Sequence, residues 1–427
     1  MDRIETLSPS LKAFTKIFHS AASQAGHFDK EIKDGKPKPP LFGVPVGIKD
    51  VIDIEGHATT GGSRAFKNNL AKRHAEVTRR LIANGAIVVG KLGTHELAFG
   101  GTSDTPFHGP IRNPWNPEHV AGGSSGGAGS AVAARLVPIA IGSDSGGSVR
   151  IPAAACGVYG FKPSYDSISR QGVLPLAWSL DHVGLLAATM EDIHLTLAVL
   201  TDGIAGAPNE ALSLVGQRIG IPTGWIQRET VQRDVIEHFD EAVKHLQGLG
   251  ADVVEVPAQG LPELGHLLLA NRVIIMAEAA AKYGYLLDRS DTELHEEVRV
   301  RLEIGRRIQA TEYLTAQRLR SLVTVAVERC LRNLDALALP TLPLTAPRIG
   351  QSEWSMPNGE SEAIGSALVR FTAPFNITGQ PALAFPVGLA GDGLPVSLQL
   401  VGRYRGDAEI LRIGRALSAA VSSRPHP

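Results

Sequence analysis

The chain has 427 residues, of which 43% are hydrophobic, so it is long enough to bury a large core. Its 42 basic and 43 acidic residues nearly cancel, which speaks against nucleic acid as a partner because phosphate binding needs concentrated positive charge. Cys156 and Cys330 are the two cysteines; they give no disulfide framework, and a reducing compartment, the cytoplasm, is favoured. Charges interrupt the first twenty residues and no run of eighteen apolar residues occurs, so neither a signal peptide nor a membrane span is predicted.

Hydrophobic periodicity and glycine stops predict alternating helices and strands along the chain. The predicted helices cover 6–22, 75–84, 125–136, 148–155, 230–249 and 407–421, and the stretch 261–334 is mainly helical. The predicted strands cover 42–52, 86–89, 137–141, 218–222, 251–256, 336–339, 382–387 and 395–401, and 350–362 is expected to be a surface loop. The order strand, helix, strand between 218 and 256 predicts a parallel crossover. We therefore expect one α/β domain, 1–427, built on a central mixed β-sheet flanked by helices.

Two serine-glycine clusters and one lysine carry most of the chemical information. The clusters are GGSSGG at 122–127 and GSDSGGSVR at 142–150, and the lysine is Lys49 in GVPVGIKD. Both clusters stand where a predicted loop enters a predicted helix, so free backbone N–H groups and a positive dipole end would face a ligand there. Serine is a poor nucleophile without a base, and a lysine that readily loses its proton can act as that base.

The clusters admit three other interpretations. Flexible surface turns are disfavoured because both clusters have apolar, alanine-rich flanks, and a buried polar loop needs a reason. Nucleotide binding is disfavoured because GGSSGGAGS lacks the Lys-Ser/Thr ending of a P-loop. The run Gly122–Gly126 does satisfy G-x-S-x-G, the nucleophile elbow of α/β-hydrolases, but a loop precedes it instead of a strand. That interpretation would also need a later Asp and either His266 or His295.

The three motifs together, in this order, resemble the amidase signature family. The intervals of 75 residues from Lys49 to Ser124 and 24 from Ser124 to Ser148 match it, and the likeness resumes at 371–376 and 393–402. The resemblance implies that Ser148 is the acyl-accepting nucleophile and that Lys49 is the base. It implies that Ser124 follows a cis peptide bond and bridges the two. It also implies an oxyanion hole made by the backbone N–H groups of Ser145, Gly146, Gly147 and Ser148. If Lys49 is the base it must be neutral, so we expect it to be buried with a lowered pKa.

Other residues near the motifs are expected to support them. Ser125, Asp144 and Arg150 would hold the two loops in register, and for Asp144 and Arg150 a structural ion pair is favoured over a catalytic role. Structural roles are also expected for Lys91, His95, Lys162 and His182. The chain departs from the usual pattern of the family at Ser143 and Ser145, where threonine is common, at Asp166, and at 185–186.

These residues predict an amidohydrolase that cleaves a small or aryl amide through an acyl-Ser148 intermediate. The signature core would cover 43–200, and 261–334 would supply a wall of the substrate pocket. The stretch 371–379 would supply another wall. Candidate lining residues are Met276, Tyr283, Phe375 and Ile377, for which a place in the core is an equal alternative. No metal and no cofactor is expected, since no cluster of His, Cys, Asp and Glu has metal-ligand spacing. The expected partner is a small-molecule amide, with no nucleic acid or membrane, and a homodimer is left open.

Two alternatives belong to other classes of protein. One is the glutaminase subunit of a tRNA-dependent amidotransferase, which works inside a complex and passes ammonia to a partner. The other is a non-catalytic scaffold with the same fold, which the intact Lys49, Ser124 and Ser148 disfavour.

Overall fold

The computed structural model describes residues 1–33, 35, 37–201, 203, 212–289, 293–421 and 427. Within them, eleven strands form one twisted mixed sheet and two short strands form a separate hairpin. The strands are β1 (Phe14–Ile17), β2 (Pro45–Lys49), β3 (Ile87–Leu92), β4 (Ile139–Asp144), β5 (Tyr159–Lys162), β6 (His182–Ala187), β7 (Arg218–Ile221), β8 (Asp252–Glu255), β9 (Ala336–Pro340), β10 (Glu353–Ser355), β11 (Ser361–Ala363), β12 (Ala382–Leu389) and β13 (Pro395–Gly402).

The sheet has the strand order β1-β3-β2-β4-β6-β5-β12-β13-β9-β7-β8. Strand β2 runs parallel to both β3 and β4, and β7 runs parallel to both β8 and β9. The strands between these parallel groups, from β4 through β6, β5, β12 and β13 to β9, pair in antiparallel fashion. The mixed sheet predicted from the sequence is therefore confirmed, as is the parallel crossover between β7 and β8.

Helices cover both faces of this sheet. They are α1 (Asp2–Leu11), α2 (Ser20–Ile32), α3 (Glu76–Ala83), α4 (Gly126–Ala133), α5 (Arg150–Cys156), α6 (Met190–Leu200), α7 (Arg233–Gly248), α8 (Leu264–Tyr283), α9 (Glu296–Arg307), α10 (Ala310–Leu331), α11 (Ile364–Val369), α12 (Pro374–Ile377) and α13 (Asp407–Ala420). Alternate residues of a strand face opposite sides, so Ile139 and Ile141 of β4 enter one hydrophobic core and Ala140 enters another, which it shares with α4.

The predicted opening helix over 6–22 is wrong as a single element. The chain forms α1, leaves it at Lys12, whose φ of 54° lies in the left-handed region, and then forms β1 before α2 begins. Strand β1 pairs antiparallel with β3, and Phe14 lies opposite Leu92. The backbone hydrogen bonds offered by the edge of β3 therefore override the helical pattern of the local sequence.

The predicted surface loop over 350–362 is also partly wrong, because it contains the β10–β11 hairpin. Glu353 pairs with Ala363 and Ser355 with Ser361, and the connection contains Asn358-Gly359, with Gly359 at a φ of 87°. An Asn-Gly dipeptide is a known hairpin signal, so this element was detectable from the sequence.

By length and composition, one helical stretch of the described residues, Leu264–Asp288, would be able to cross a membrane. It contains α8, which packs against α9, α10 and α12 within the domain. A helix packed in this way is a core helix, and its apolar composition is weak evidence for a membrane.

Candidate active site

The two ends of neighbouring parallel strands place the predicted lysine beside the second serine cluster. Lys49 is the last residue of β2, and β4, which ends at Asp144, runs parallel to it. Parallel strands present their carboxyl ends at one edge of a sheet, where α/β proteins commonly bind ligands. Ser124 lies just before α4 and Ser148 just before α5, at the loop-to-helix junctions expected from the sequence.

Lys49 is fully buried and is bonded to hydroxyl groups. Its Nζ donates to Ser124 Oγ at 2.7 Å and to Ser143 Oγ at 2.8 Å. Burial lowers the pKa of Lys49 to about 7, and the negative charges of Asp144 and Asp181 oppose that shift only in part. A lysine with this pKa is partly neutral at physiological pH and is able to accept a proton. Lys49 is not held in an ion pair by a direct bond, since among the described residues its hydrogen bonds go to these two hydroxyls alone.

Ser124 is buried and held through its backbone as well as its hydroxyl. The peptide bond between Gly123 and Ser124 is cis, as the resemblance implies. The carbonyl oxygen of Ser124 accepts hydrogen bonds from the backbone N–H of His95 at 3.0 Å and from Ser103 Oγ at 3.2 Å. These contacts fix the loop that aims the Ser124 hydroxyl at Lys49.

Ser148 lies at the surface of this cluster, with 7% of the residue exposed. Its carbonyl oxygen accepts the backbone N–H of Ser125 at 3.1 Å, which joins the two serine clusters directly. Within the described part of the chain the Ser148 hydroxyl makes no hydrogen bond, so the link from Ser124 to Ser148 is not closed in this structure. Catalytic hydrogen bonds are often long without substrate and tighten in the complex.

The backbone N–H groups that follow β4 divide into those bonded to Asp144 and those with no acceptor among the described residues. Those of Gly147 and Val149 donate to the two carboxylate oxygens of Asp144, at 2.8 and 3.1 Å. Those of Ser145, Gly146 and Ser148 meet no acceptor among the described residues. The expectation for Gly147 is therefore wrong in this structure, because Asp144 already occupies its N–H. The other three expected donors remain available to an oxyanion.

Asp144 and Arg150 form a fully buried ion pair, which agrees with the structural role favoured from the sequence. Arg150 Nε and Nη2 donate to the Asp144 carboxylate, each at 3.0 Å. Burial alone would raise the pKa of Asp144, but the Arg150 charge and the surrounding hydrogen bonds hold it well below its usual range. Asn376 Nδ2 adds bonds to the carboxylate at 2.8 Å and to the carbonyl oxygen at 2.9 Å. Arg150 also donates to Gln399 Oε1 at 2.7 Å.

Ser125 ties the first cluster to the end of β4. Its hydroxyl donates to the carbonyl oxygen of Ser143 at 3.1 Å, and the backbone N–H of Ser143 points back at the same hydroxyl at 3.3 Å. Ser143 itself, noted in the sequence only as a departure from threonine, contacts Lys49. Its place opposite Lys49 follows from the pairing of β2 and β4, which local sequence does not reveal.

The other charged residues near the motifs are tied into the scaffold. Lys91 forms a buried ion pair with Asp50 at 3.1 Å, and Lys162 Nζ donates to backbone carbonyl oxygens. Burial lowers the pKa of His95 and of His182 well below the usual value, so both are neutral near pH 7.

Among the described residues, neither histidine named for the nucleophile-elbow interpretation is bonded to a serine of the two clusters. His266 lies 3.6 Å from Glu263 in an exposed pair, and His295 Nδ1 accepts the N–H of Glu297 at the start of α9. The basic side chain bonded to Ser124 is that of Lys49.

A cavity of about 150 Å³ opens beside Ser143 and Ser145. It is lined by Ala98, Ser143, Ser145, Arg170, Val173, Leu174, Pro175, Leu176, Trp178, Asp181, His182 and Val183. Ser145 Oγ donates to Asp181 Oδ1 at 2.5 Å, and the exposed Trp178 stands in its wall. A space of this size suits a small amide better than a large aryl group.

The candidate lining residues Met276, Tyr283, Phe375 and Ile377 are not among those that line this cavity. Tyr283, Phe375 and Ile377 are buried core residues, and Met276 packs against the core. Helix α8 does reach the site, however. A Cβ on Gly146 would lie 3.5 Å from Asn271 Oδ1 and 3.7 Å from Ile275 Cδ1.

The described residues contain no group of three or more His, Cys, Asp and Glu side chains able to hold a metal ion. The arrangement instead offers a hydroxyl, a partly neutral amine and free N–H donors. That set is able to carry out acyl transfer by a serine nucleophile.

Comparison with known proteins agrees with this geometry. The family model named Amidase matches residues 1–411. The A subunit of the glutamyl-tRNA(Gln) amidotransferase of Thioalkalivibrio sulfidiphilus is 35% identical over 97% of this chain and 90% of its own length. A crystal structure of an amidase superposes with a TM-score of 0.91 at 32% identity, covering 99% of this chain and 94% of that one.

A second solved structure has the same TM-score of 0.91 at 31% identity, with 99% of this chain and 94% of that chain covered. It is described as an unexpected vestigial protein complex that reveals the evolutionary origins of an s-triazine catabolic enzyme. The fold, the family model, the curated relative and the two solved structures agree: this chain belongs to the amidase signature family.

Proposed function

We propose that the chain cleaves the C–N bond of a small carboxylic amide through an acyl-Ser148 ester. The observation that carries the proposal is the hydrogen bond of 2.7 Å between a buried Lys49, with a pKa of about 7, and Ser124. Neutral Lys49 would take the proton of Ser124 while Ser124 takes that of Ser148, whose oxygen attacks the amide carbon.

The tetrahedral oxyanion would be received by the N–H groups of Ser145, Gly146 and Ser148, which have no protein acceptor among the described residues. Collapse expels the amine, which takes a proton back along the same chain of groups. Water then hydrolyses the acyl-serine ester by the same steps in reverse.

A more specific form of this chemistry is the alternative favoured by the relative from Thioalkalivibrio sulfidiphilus. In that form the amide is glutamine, and the released ammonia passes to a partner in a tRNA-dependent amidotransferase. The small size of the cavity beside Ser143 and Ser145, about 150 Å³, favours a small amide such as glutamine. The amidase structure that superposes with a TM-score of 0.91 supports the simple hydrolase instead. Cleavage of an amide is common to both forms, and the curated relatives favour the amidotransferase role over the free-standing hydrolase.

The experiment is a substrate panel of L-glutamine, short aliphatic amides, ureas and anilides, run on wild type and on Ser148→Ala. Wild type should release ammonia or amine from a small member of the panel, and Ser148→Ala should be inactive yet folded by circular dichroism. A fluorophosphonate should label wild type at Ser148. Labelling at Ser124 or Ser125, or full activity of Ser148→Ala, would refute the proposal.

The amidotransferase candidate has its own test, which is glutaminase activity that appears only with partner subunits and tRNA. Robust turnover of a non-glutamine amide by the isolated chain would exclude it. A cytoplasmic location remains part of the proposal, and the two free thiols of Cys156 and Cys330 are compatible with a reducing compartment.

A further inference from the structure

One peptide unit of the nucleophile loop, between Gly146 and Gly147, is held at both ends by buried side chains. The carbonyl oxygen of Gly146 accepts the hydroxyl of Thr372 at 2.7 Å, and the N–H of Gly147 donates to Asp144 at 2.8 Å. Thr372 and Asp144 are both fully buried. Thr372 lies more than two hundred residues from the loop along the chain.

This peptide unit lies between the two backbone N–H groups that would bind the oxyanion. The N–H of Gly146 comes just before it, the N–H of Ser148 comes just after it, and both lack a protein acceptor among the described residues. Both neighbouring peptide units are attached to the Cα atoms of this one, so a displacement of the 146–147 unit moves those Cα atoms and redirects both N–H groups. Whatever fixes this unit therefore fixes the aim of two oxyanion donors.

Two consecutive glycines would not hold that aim by themselves, because glycine has the widest backbone freedom. Yet glycine is needed here, since Gly147 has a φ of +131° and a Cβ on it would lie 2.1 Å from Thr372 Oγ1. The two glycines let Thr372 come close to the backbone of the loop, but their freedom means that another group must hold the 146–147 peptide in place. The hydroxyl of Thr372 supplies that restraint.

Thr372 is itself anchored where it can do this. Its carbonyl oxygen accepts Arg150 Nη1 at 2.8 Å, so the ion pair of Arg150 with Asp144 holds it from the other side. Its hydroxyl has two further contacts, to the carbonyl oxygens of Leu368 and Val369, but both are 3.5 Å long. The short bond to Gly146 is the one that sets its direction.

We propose that Thr372 is a positioning residue for the oxyanion hole. Acting through the carbonyl of Gly146, its hydroxyl keeps the N–H groups of Gly146 and Ser148 aimed at the charge that develops on the substrate oxygen. This inference rests on the proposed acyl-Ser148 function. Because the aim matters most when the oxyanion forms, loss of the hydroxyl should lower kcat and leave KM nearly unchanged.

The test compares Thr372→Val, which keeps the shape and loses the hydroxyl, with Thr372→Ser, which keeps the hydroxyl. The matched control is Thr378→Val, because the Thr378 hydroxyl is also buried but bonds within its own turn, to the carbonyl oxygen of Pro374 at 2.9 Å. The readouts are the rate constant for labelling of Ser148 by a fluorophosphonate, kcat and KM for the best amide of the panel, and the melting temperature. The phosphoryl oxygen of the probe would occupy the oxyanion position, so its labelling rate reports the aim of the donors whichever amide is the natural substrate.

We expect Thr372→Val to reduce the labelling rate and kcat by about tenfold, less than the hundredfold or more that follows direct loss of an oxyanion donor. Thr372→Ser should stay within about threefold of wild type, because the donor remains. Thr378→Val should label at the wild-type rate even if it melts at a lower temperature.

A folded Thr372→Val that labels at the wild-type rate would overturn the proposal, and so would a Thr372→Ser as slow as Thr372→Val. If Thr372→Val does not fold, Thr372→Cys replaces the hydroxyl by a weaker donor, and a wild-type labelling rate in that variant has the same meaning. Failure of the proposed function has a different signature, which is wild type that is not labelled at Ser148.

Discussion

The ionisation of Lys49 makes a quantitative prediction for activity against pH. At a pKa of about 7, about half of Lys49 is neutral at pH 7, whereas a lysine with its ordinary pKa near 10.4 would be neutral in only about one molecule in 2,500. Burial therefore increases the population of competent base by roughly a thousandfold at neutral pH.

We expect log kcat/KM to rise with a slope near one below pH 7 and to become flat on the alkaline side. Asp144, His95 and His182 should not add a step to this profile, because the pKa of each lies well below its usual value. The assay is initial rate at low substrate concentration from pH 5.5 to 9.5. Lys49→Arg should be inactive, since a guanidinium keeps its proton throughout.

The lowered pKa of Lys49 also predicts that the residue reduces the stability of the fold at the pH values where it is protonated. Between the folded pKa of about 7 and an unfolded value near 10.5, the unfolded chain holds more protons, so stability rises with pH across this window. Below pH 7 the contribution of Lys49 is unfavourable by up to about 5 kcal/mol, and the two hydroxyl hydrogen bonds, each worth about 1 kcal/mol, offset part of it. Lys49→Met should therefore be inactive and yet more stable than wild type at pH 6, by roughly 2–3 kcal/mol.

Denaturant unfolding of wild type and Lys49→Met at pH 6 and pH 10 measures this directly, and the gap should shrink at pH 10. Retention of more than about a tenth of wild-type kcat/KM by Lys49→Arg would refute the base role, because only a permanently charged lysine would tolerate that change. A flat pH profile, or a Lys49→Met less stable than wild type at pH 6, would refute the lowered pKa.

Further predictions concern the support of the site. Arg150→Met leaves the Asp144 carboxylate buried and unpaired, and it should lower stability by about 3–5 kcal/mol in chemical denaturation; a loss below about 1 kcal/mol would contradict a tight buried pair. Trp178→Ala removes a large side chain from the wall of the cavity beside Ser145 and so enlarges the cavity. The KM for bulky anilides should then fall relative to the KM for small amides, and an unchanged ratio of the two KM values would place the substrate elsewhere. Chelation should leave activity unchanged, because Lys49 and serine hydroxyls supply the chemistry; activity lost to EDTA and restored by zinc would show otherwise.

The residues with proposed catalytic roles were more predictable from the sequence than the residues that hold them in place. Lys49, Ser124 and Ser148 stand out because a lysine and Gly-Ser runs in apolar surroundings are unusual, and their neighbourhood follows from motifs local to β2, α4 and α5. The parallel pairing of β2 with β4 is a long-range property of the sheet. Nothing local therefore predicts Ser143 beside Lys49, although that contact is nearly as short as the one to Ser124.

The errors in the predicted fold also arise from contacts between residues that are distant in the sequence. The pattern of 6–22 is helical in isolation, and only the edge of β3 makes a strand of Phe14–Ile17. The pocket prediction used apolar residues such as Phe375, which sequence cannot separate into lining and core. Periodicity reports that a side chain is buried but does not report what buries it.

The long-range support of the site follows from the chemistry of the nucleophile loop. A loop that must bring backbone N–H groups against a substrate is built from glycine and serine, and such a loop loses the most conformational entropy when it becomes ordered. Local sequence cannot supply the restraint without adding the side chains that would block the approach. The chain supplies it from far away, through the carboxylate of Asp144, the guanidinium of Arg150 and the hydroxyl of Thr372, all fully buried and bonded to one another or to the loop. Because each of these groups would be unfavourable if buried alone, we expect the loop to become ordered only once the segment of Thr372 has packed beside α5.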